Sequence, residues 1–426
     1  MNLRSYARFG LFALLGLMMS WLVACGGGQP SATAPADGSQ EVEFWTMQLQ
    51  PDFTDYFNGL IADYEAQNPG VTVRWVDVPW ADMQSKILTA VTAGTAPDVV
   101  NLNPDFAAQL ASRNAWMPLD DKVSAEAKQV YLPNIWQANT LNGQSFGIPW
   151  YLTTNVTLHN QALLDEAGVE PPTTYAELAE VARQVKAATG KYAFFTTFVP
   201  EDSADVLQSF VQMGVPLVGD QGEAAFDTAA GRAVFQYWTD LYQQELLPRE
   251  VLTQGHRRAI ELFQAGEVAL LSTGAEFFPT IETNAPDIAA VTGSGPQITG
   301  DTGKTNVAVM NLVIPAATDV PEAAVDFALY LTNDANQLSF AQAANVLPST
   351  SGALGDAYFA QAGTKGVEKA RSVSAEQMNQ AEVLIPAMDG VKELQAIVYD
   401  NLQAAMLGQK TVDQAVSDAA TAWNAR

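Results

Sequence analysis

Between residues 41 and 103 the sequence alternates strand with helix, and that order constrains the fold more than any other feature of the chain. "EVEFWTM" (41–47) reads as a strand, and Phe57, Leu60, Ile61 and Tyr64 then recur at helical spacing up to a stop at "NPG". "VTVRWVDV" (71–78) alternates as a second strand. Met83, Ile87, Leu88 and Val91 form a second helical stripe ending at Gly94, and "DVVNLN" (98–103) is a third strand. Strand, helix, strand, helix, strand at this spacing implies an α/β fold with a parallel sheet and right-handed crossovers. Ligands of open α/β sheets sit beyond the carboxyl ends of the strands. That position puts forward Trp45, Met47 and Gln48 after the first strand, and Asn101, Asn103 and Asp105 after the third. The composition of Asn103-Pro104-Asp105 suits a plain turn equally well.

The first residues have a different character. Arg4 and Arg8 precede an apolar run from Phe9 to Val23, which ends at Leu22-Val23-Ala24-Cys25. A basic start, a short apolar run and a small residue before the break are the marks of a secretory signal. The ending resembles the bacterial lipobox, so residues 1–24 are expected to be a lipoprotein signal peptide and Cys25 the lipidated residue. Residues 25–40 would then be a small, polar, flexible tether. Cys25 is the only cysteine, which rules out an intrachain disulfide.

The body that follows is long enough for two cores. The whole chain's 21 basic residues against 47 acidic ones exclude a nucleic-acid partner, whose phosphates demand a basic surface. Two histidines, His159 and His256, leave no Cys/His metal cluster, and neither a metal nor a cofactor is expected. Further along, "NGQSFGIPWYLTTNVTLHN" (142–160) reads as an extended stretch running from one body into another. Capping boxes stand at Thr174/Glu177 and Thr411/Gln414. Trp238, beside Phe235 and Leu241 on a helix face, reads as core. Arg257 and Arg258 at a helix start read as exposed, with an anion site as the less favoured alternative.

Several segments together resemble the family 1 extracellular solute-binding proteins, the maltose-binding-protein-like components of bacterial ABC importers. They are "TAGTAPDVV" (92–100), "AWMPLDD" (115–121), "NGQSFGIPWYLTTNVTLHNQALLDEAGVEPPTTYAEL" (142–178), "LFQAGEVALLSTGAEFF" (262–278), "ANVLPSTSGAL" (344–354) and "GQKTVDQAVSDAATAWN" (408–424). Where the family usually has Gly-x-Trp, this chain has Gly274-Ala275-Glu276-Phe277, leaving Phe277 or Phe278 as the aromatic there.

The resemblance implies a periplasmic-binding-protein-like fold of two lobes, each with a central, mostly parallel sheet flanked by helices, joined by a multi-segment hinge. Residues 41–149 and 307–345 would form lobe 1, and 150–306 and 346–426 lobe 2, with crossings near 147–153, 303–312 and 344–349. It further implies a monomeric, non-enzymatic protein, lipid-anchored outside the cytoplasmic membrane, that captures a neutral sugar or oligosaccharide and delivers it to an ABC permease. Aromatic faces would stack on the sugar while amide and carboxyl groups satisfy its hydroxyls. The expected platforms are Trp45, Trp150, Tyr151 and Phe277 or Phe278; the expected contacts beside them are Met47, Gln48, Asn103, Asp105, Glu276 and Asn311. Asn311 equally suits a hinge hydrogen-bonder. A polyol or glycerol phosphate ligand is the nearest alternative, and a secreted glycoside hydrolase with paired carboxylates a more distant one.

Overall fold

The computed structural model describes residues 39–426, apart from 362, 386 and 389, and apart from the side chain of Asp105. The signal segment, Cys25 and the expected tether therefore lie outside the described residues, and residues 40–426 form one compact unit.

The strand–helix alternation is present in the expected places. Strand Gln40–Met47 pairs in parallel with Val71–Val78 on one side and with Val99–Leu102 on the other. Helix Thr54–Gln67 buries Phe57, Leu60, Ile61 and Tyr64, and helix Trp80–Ala93 buries Met83 and Ile87. Gly94 ends the second helix at φ 67°, a left-handed conformation that costs glycine nothing. Antiparallel pairing enters when the chain returns: Thr305–Val313 lies between Val99–Leu102 and Ile148–Asn160.

Ile148–Asn160 organises the molecule. Its residues 148–154 pair with Thr305–Val313, and its residues 155–160 pair with Leu270–Gly274 and Thr292–Gly295. One strand thus belongs to two sheet regions, each with its own core. The first region's main core gathers Phe44, Phe57, Tyr64, Trp150, Leu152, Phe327, Phe340, Leu347 and Phe359; a smaller cluster around Met83, Ile87 and Trp116 lies beside it. The second core gathers Val156, Leu158, Phe198, Phe210, Phe235, Trp238, Phe278, Leu394 and Trp423. Core membership carries the first body past 150 and 346, where the second was expected to begin. Leu347 and Pro348 pair with Leu152 and Tyr151 inside the first sheet.

Two buried glutamines knit the passages between the bodies. The Gln377 amide donates to the Asn155 carbonyl at 3.2 Å and its oxygen accepts from the Gln297 N–H at 2.7 Å. The Gln297 oxygen in turn accepts from the Asn306 N–H at 2.7 Å. The expected capping boxes at Thr174/Glu177 and Thr411/Gln414 both close. Trp238 is 3% exposed, with its indole N–H donated to the Ser209 hydroxyl.

Candidate functional site

The loop after the first strand is built before it meets anything else. The Asp77 carboxylate accepts from the Thr46 hydroxyl at 2.6 Å and from the backbone N–H groups of Leu49 and Gln50 at 2.9 and 3.1 Å. Held this way, Gln48 takes a left-handed backbone at φ 53°, uncommon for a residue with a Cβ. Its amide oxygen then accepts from the Trp80 backbone N–H at 3.2 Å, tying the end of the second strand to the end of the first.

That corner forms one wall of a cleft of about 620 Å³. Met47, Gln48, Leu49, Phe53 and Trp80 line it from the first strand-helix layer, with Tyr151, Met310, Phe340 and Val346 at its floor. Arg257, Glu276 and Phe277 line it from the second body, where strand Leu270–Gly274 runs out. The volume lies within the range of ordinary ligand pockets. Two of its aromatics stand in water: Trp80 is 46% exposed and Phe277 38%. Few large apolar side chains among the described residues are so placed, and one stands on each wall.

Five of the residues singled out from sequence therefore meet here: Met47, Gln48, Tyr151, Glu276 and Phe277. The others do not. Trp150 is 1% exposed and stacks on Phe340 at 5.1 Å with edge contacts to Phe44 and Phe57, so the first core leaves none of it open to a ligand. Trp45 is buried against Lys86 and the Met83–Ile87 cluster, its N–H donated to Glu43. Asn103 caps helix Pro104–Ala111, its oxygen accepting from the Phe106 N–H at 2.8 Å, so the segment opens a helix instead of forming the plain turn its composition suited. Asn311 is fully buried in its strand, paired between Leu102 and Pro149 inside the first sheet, and donates to the Val309 carbonyl, so its side chain does not reach the cleft. The Asp105 side chain lies outside the described residues. Phe278 is buried in the second core, which leaves Phe277 as the aromatic of that segment.

Sequence reasoning passed over Trp80, Phe53 and Phe340. Trp80 had a readable signal: it follows the carboxyl end of the second parallel strand as Gln48 follows the first. Phe53 and Phe340 had none, since both sit in helical patterns indistinguishable from core.

Electrostatically the cleft is mixed. Glu276, partly enclosed by the apolar wall and turned back over Gly274, has its carboxyl pushed up to about 7 by burial. Tyr151, beside it, is raised above the ordinary phenol range, first by burial and then by the Glu276 charge. Arg257 forms no ion pair or side-chain hydrogen bond among the described residues, whereas Arg258 is held by Glu250 and Glu261. His256 donates its backbone N–H to Asp202 and packs its ring edge-on to Phe277 at 6.2 Å, behind the cleft wall. His159 is buried in the second body. Among the described residues no cluster of acidic, histidine or cysteine side chains could hold a metal.

Residues 50–338 match the family described as bacterial extracellular solute-binding protein. The chain belongs to that family. A protein of Synechococcus sp. MITs9220 described as a "putative oligosaccharide periplasmic-binding protein" shares 46% identity, with 90% of this chain and 98% of that one covered at a TM-score of 0.85. The arabinooligosaccharide-binding protein of Halalkalibacterium halodurans is 27% identical over 310 residues, 69% of this chain and 67% of that protein. A protein of Brucella abortus described as a "putative binding protein" is 23% identical over 286 residues, 66% of this chain and 70% of its own length. The α/β architecture is the periplasmic-binding-protein fold of the Synechococcus structure.

Proposed function

We propose that this solute-binding protein captures a sugar or oligosaccharide in the cleft, closes its two bodies on it, and hands it to the permease of an ABC importer. One observation carries the reading: two water-exposed aromatic faces, Trp80 and Phe277, stand on opposite walls of one cavity. Exposing such rings is unfavourable for the free protein and is repaid only when something covers them. The C–H faces of a pyranose suit both rings, and Gln48, Thr153, Glu276 and Arg257 around them offer partners for its hydroxyls. The names of the relatives in Synechococcus and Halalkalibacterium point the same way.

A ligand that touches both walls only when they approach shifts the open–closed equilibrium by its differential affinity for the closed state. The passages at 154–155 and 296–306 and helix Gly366–Gln377 are the segments on which the bodies would turn. A glycosidase would need a second carboxyl across the ligand from Glu276, and among the described lining residues Glu276 stands alone. The mature protein works outside the cytoplasmic membrane as a monomer, anchored through a lipid on Cys25; among the described residues no helix is long and apolar enough to span a bilayer.

A thermal-shift panel of mono- to tetrasaccharides, polyols, sugar phosphates and amino acids tests the reading. A ligand at a hundred times its dissociation constant stabilises the folded protein by about 2.7 kcal/mol, which is readily seen. Stabilisation by a narrow set of sugars is expected. A response confined to amino acids would contradict it.

A further inference from the structure

We propose that the ligand carries a carboxylate, and that Arg257 is the residue that holds it: the cleft is built for an acidic sugar. The inference rests on the sugar-capture reading and narrows it. The sequence favours a neutral ligand because few basic residues fall at the expected cleft positions. The structure alters that premise by placing Arg257 on the cleft wall.

The case begins with an imbalance. The chain carries 47 acidic residues against 21 basic ones, so an arginine has many possible partners. Among the described residues Arg74, Arg183, Arg232, Arg249, Arg258 and Arg426 are taken up in ion pairs and Arg371 stacks on Tyr358, while Arg113 and Arg257 have neither, and of those two only Arg257 lines the cleft. Arg257 faces the cleft with its five donors uncommitted, one residue from Arg258, which is doubly paired. A guanidinium kept free at a binding cleft is pre-organised for a planar anion, which it grips through two parallel hydrogen bonds.

The neighbouring acid opposes this less than an ordinary carboxylate would. Glu276 lies on the same wall without pairing to Arg257, and burial favours its protonated form. A protonated carboxyl offers a hydrogen-bond donor where an ionised one would repel the ligand's charge. The surrounding surface does oppose anions in general, since the net charge is −26, so an anionic ligand needs a local cation of this kind. One guanidinium matches a single negative charge. A phosphate, carrying about −1.5 to −2 at neutral pH, calls for more donors than Arg257 alone brings to the cleft.

The test is calorimetric titration of the purified protein with matched pairs: neutral disaccharides, the same disaccharides ending in a uronic acid, and the corresponding sugar phosphates. At least one uronate is expected to bind about tenfold or more tightly than its neutral counterpart, and R257Q to abolish that ratio while R257K restores part of it. Neutral members binding as well as their uronates in the wild type would overturn the proposal and leave the sugar reading standing. So would a ratio unchanged by R257Q, or a preference for the phosphates alone. Silence across all three classes would remove both. Arg257 is exposed and holds no other residue, so R257Q is expected to fold, which its melting temperature checks.

Discussion

At the scale of single residues the aromatic pair and the buried tryptophan separate binding from stability. Trp80→Ala and Phe277→Ala remove exposed rings, and each is expected to weaken ligand binding by about tenfold or more while the melting temperature of the free protein barely moves. Trp150→Ala is the opposite case. It empties the centre of an aromatic cluster and is expected to cost about 3–5 kcal/mol of stability, read by denaturant unfolding. Equal effects of Trp80→Ala and Trp150→Ala on stability would contradict this division. Glu276 adds a pH signature. Its folded pKa of about 7 lies above its ordinary value of 4.5, so the native state holds the proton more tightly than the unfolded chain does. Its contribution is therefore fully present below about pH 4.5 and is lost as pH rises towards 7. Relative to Glu276→Gln, the wild type should lose melting temperature across that window and run parallel to it above.

At the scale of elements, the corner between the first two parallel strands decides how well the site is formed. Asp77 satisfies three donors of the loop that carries Met47, Gln48 and Leu49 into the cleft. Asp77→Ala leaves those donors without their partner and is expected to destabilise the protein by about 1–3 kcal/mol and to weaken binding as well, although Asp77 does not line the cavity. Unchanged affinity would mean the loop holds its shape without it. The sequence makes the elements of this corner readable, because the helix stripe at Phe57, Leu60, Ile61 and Tyr64 and the strand alternation around it are local patterns. Which strand ends face the cleft is not local. Trp45 precedes the end of its strand and turns into the helix layer, while Trp80 follows the end of its own and stays exposed. Trp150 and Tyr151 are neighbours on one strand, at a break in its register with Thr305–Val313, and Tyr151 lines the cleft while Trp150 enters the core. A bulge of this kind breaks the period of two, so the sequence pattern alone does not tell which of the two faces the cleft.

At the scale of the whole molecule, the long strand Ile148–Asn160 and the glutamine network at Gln297 and Gln377 let two separately cored bodies share a backbone without sharing a core. The proposed closure would then repack the cleft walls and leave both cores intact, which suits a hinge of few residues. The chain beyond Cys25 has no other cysteine, so paired labels can be introduced cleanly. Leu88 on the first body and Val291 on the second are each exposed, at 39% and 38%. The decisive measurement is the distance between spin labels on Leu88→Cys and Val291→Cys, with and without a saturating sugar found in the thermal panel. A shorter and narrower distance distribution with the sugar bound, lost in Trp80→Ala, is the expected result. An unchanged distribution at full occupancy would show that the two bodies do not close on the ligand.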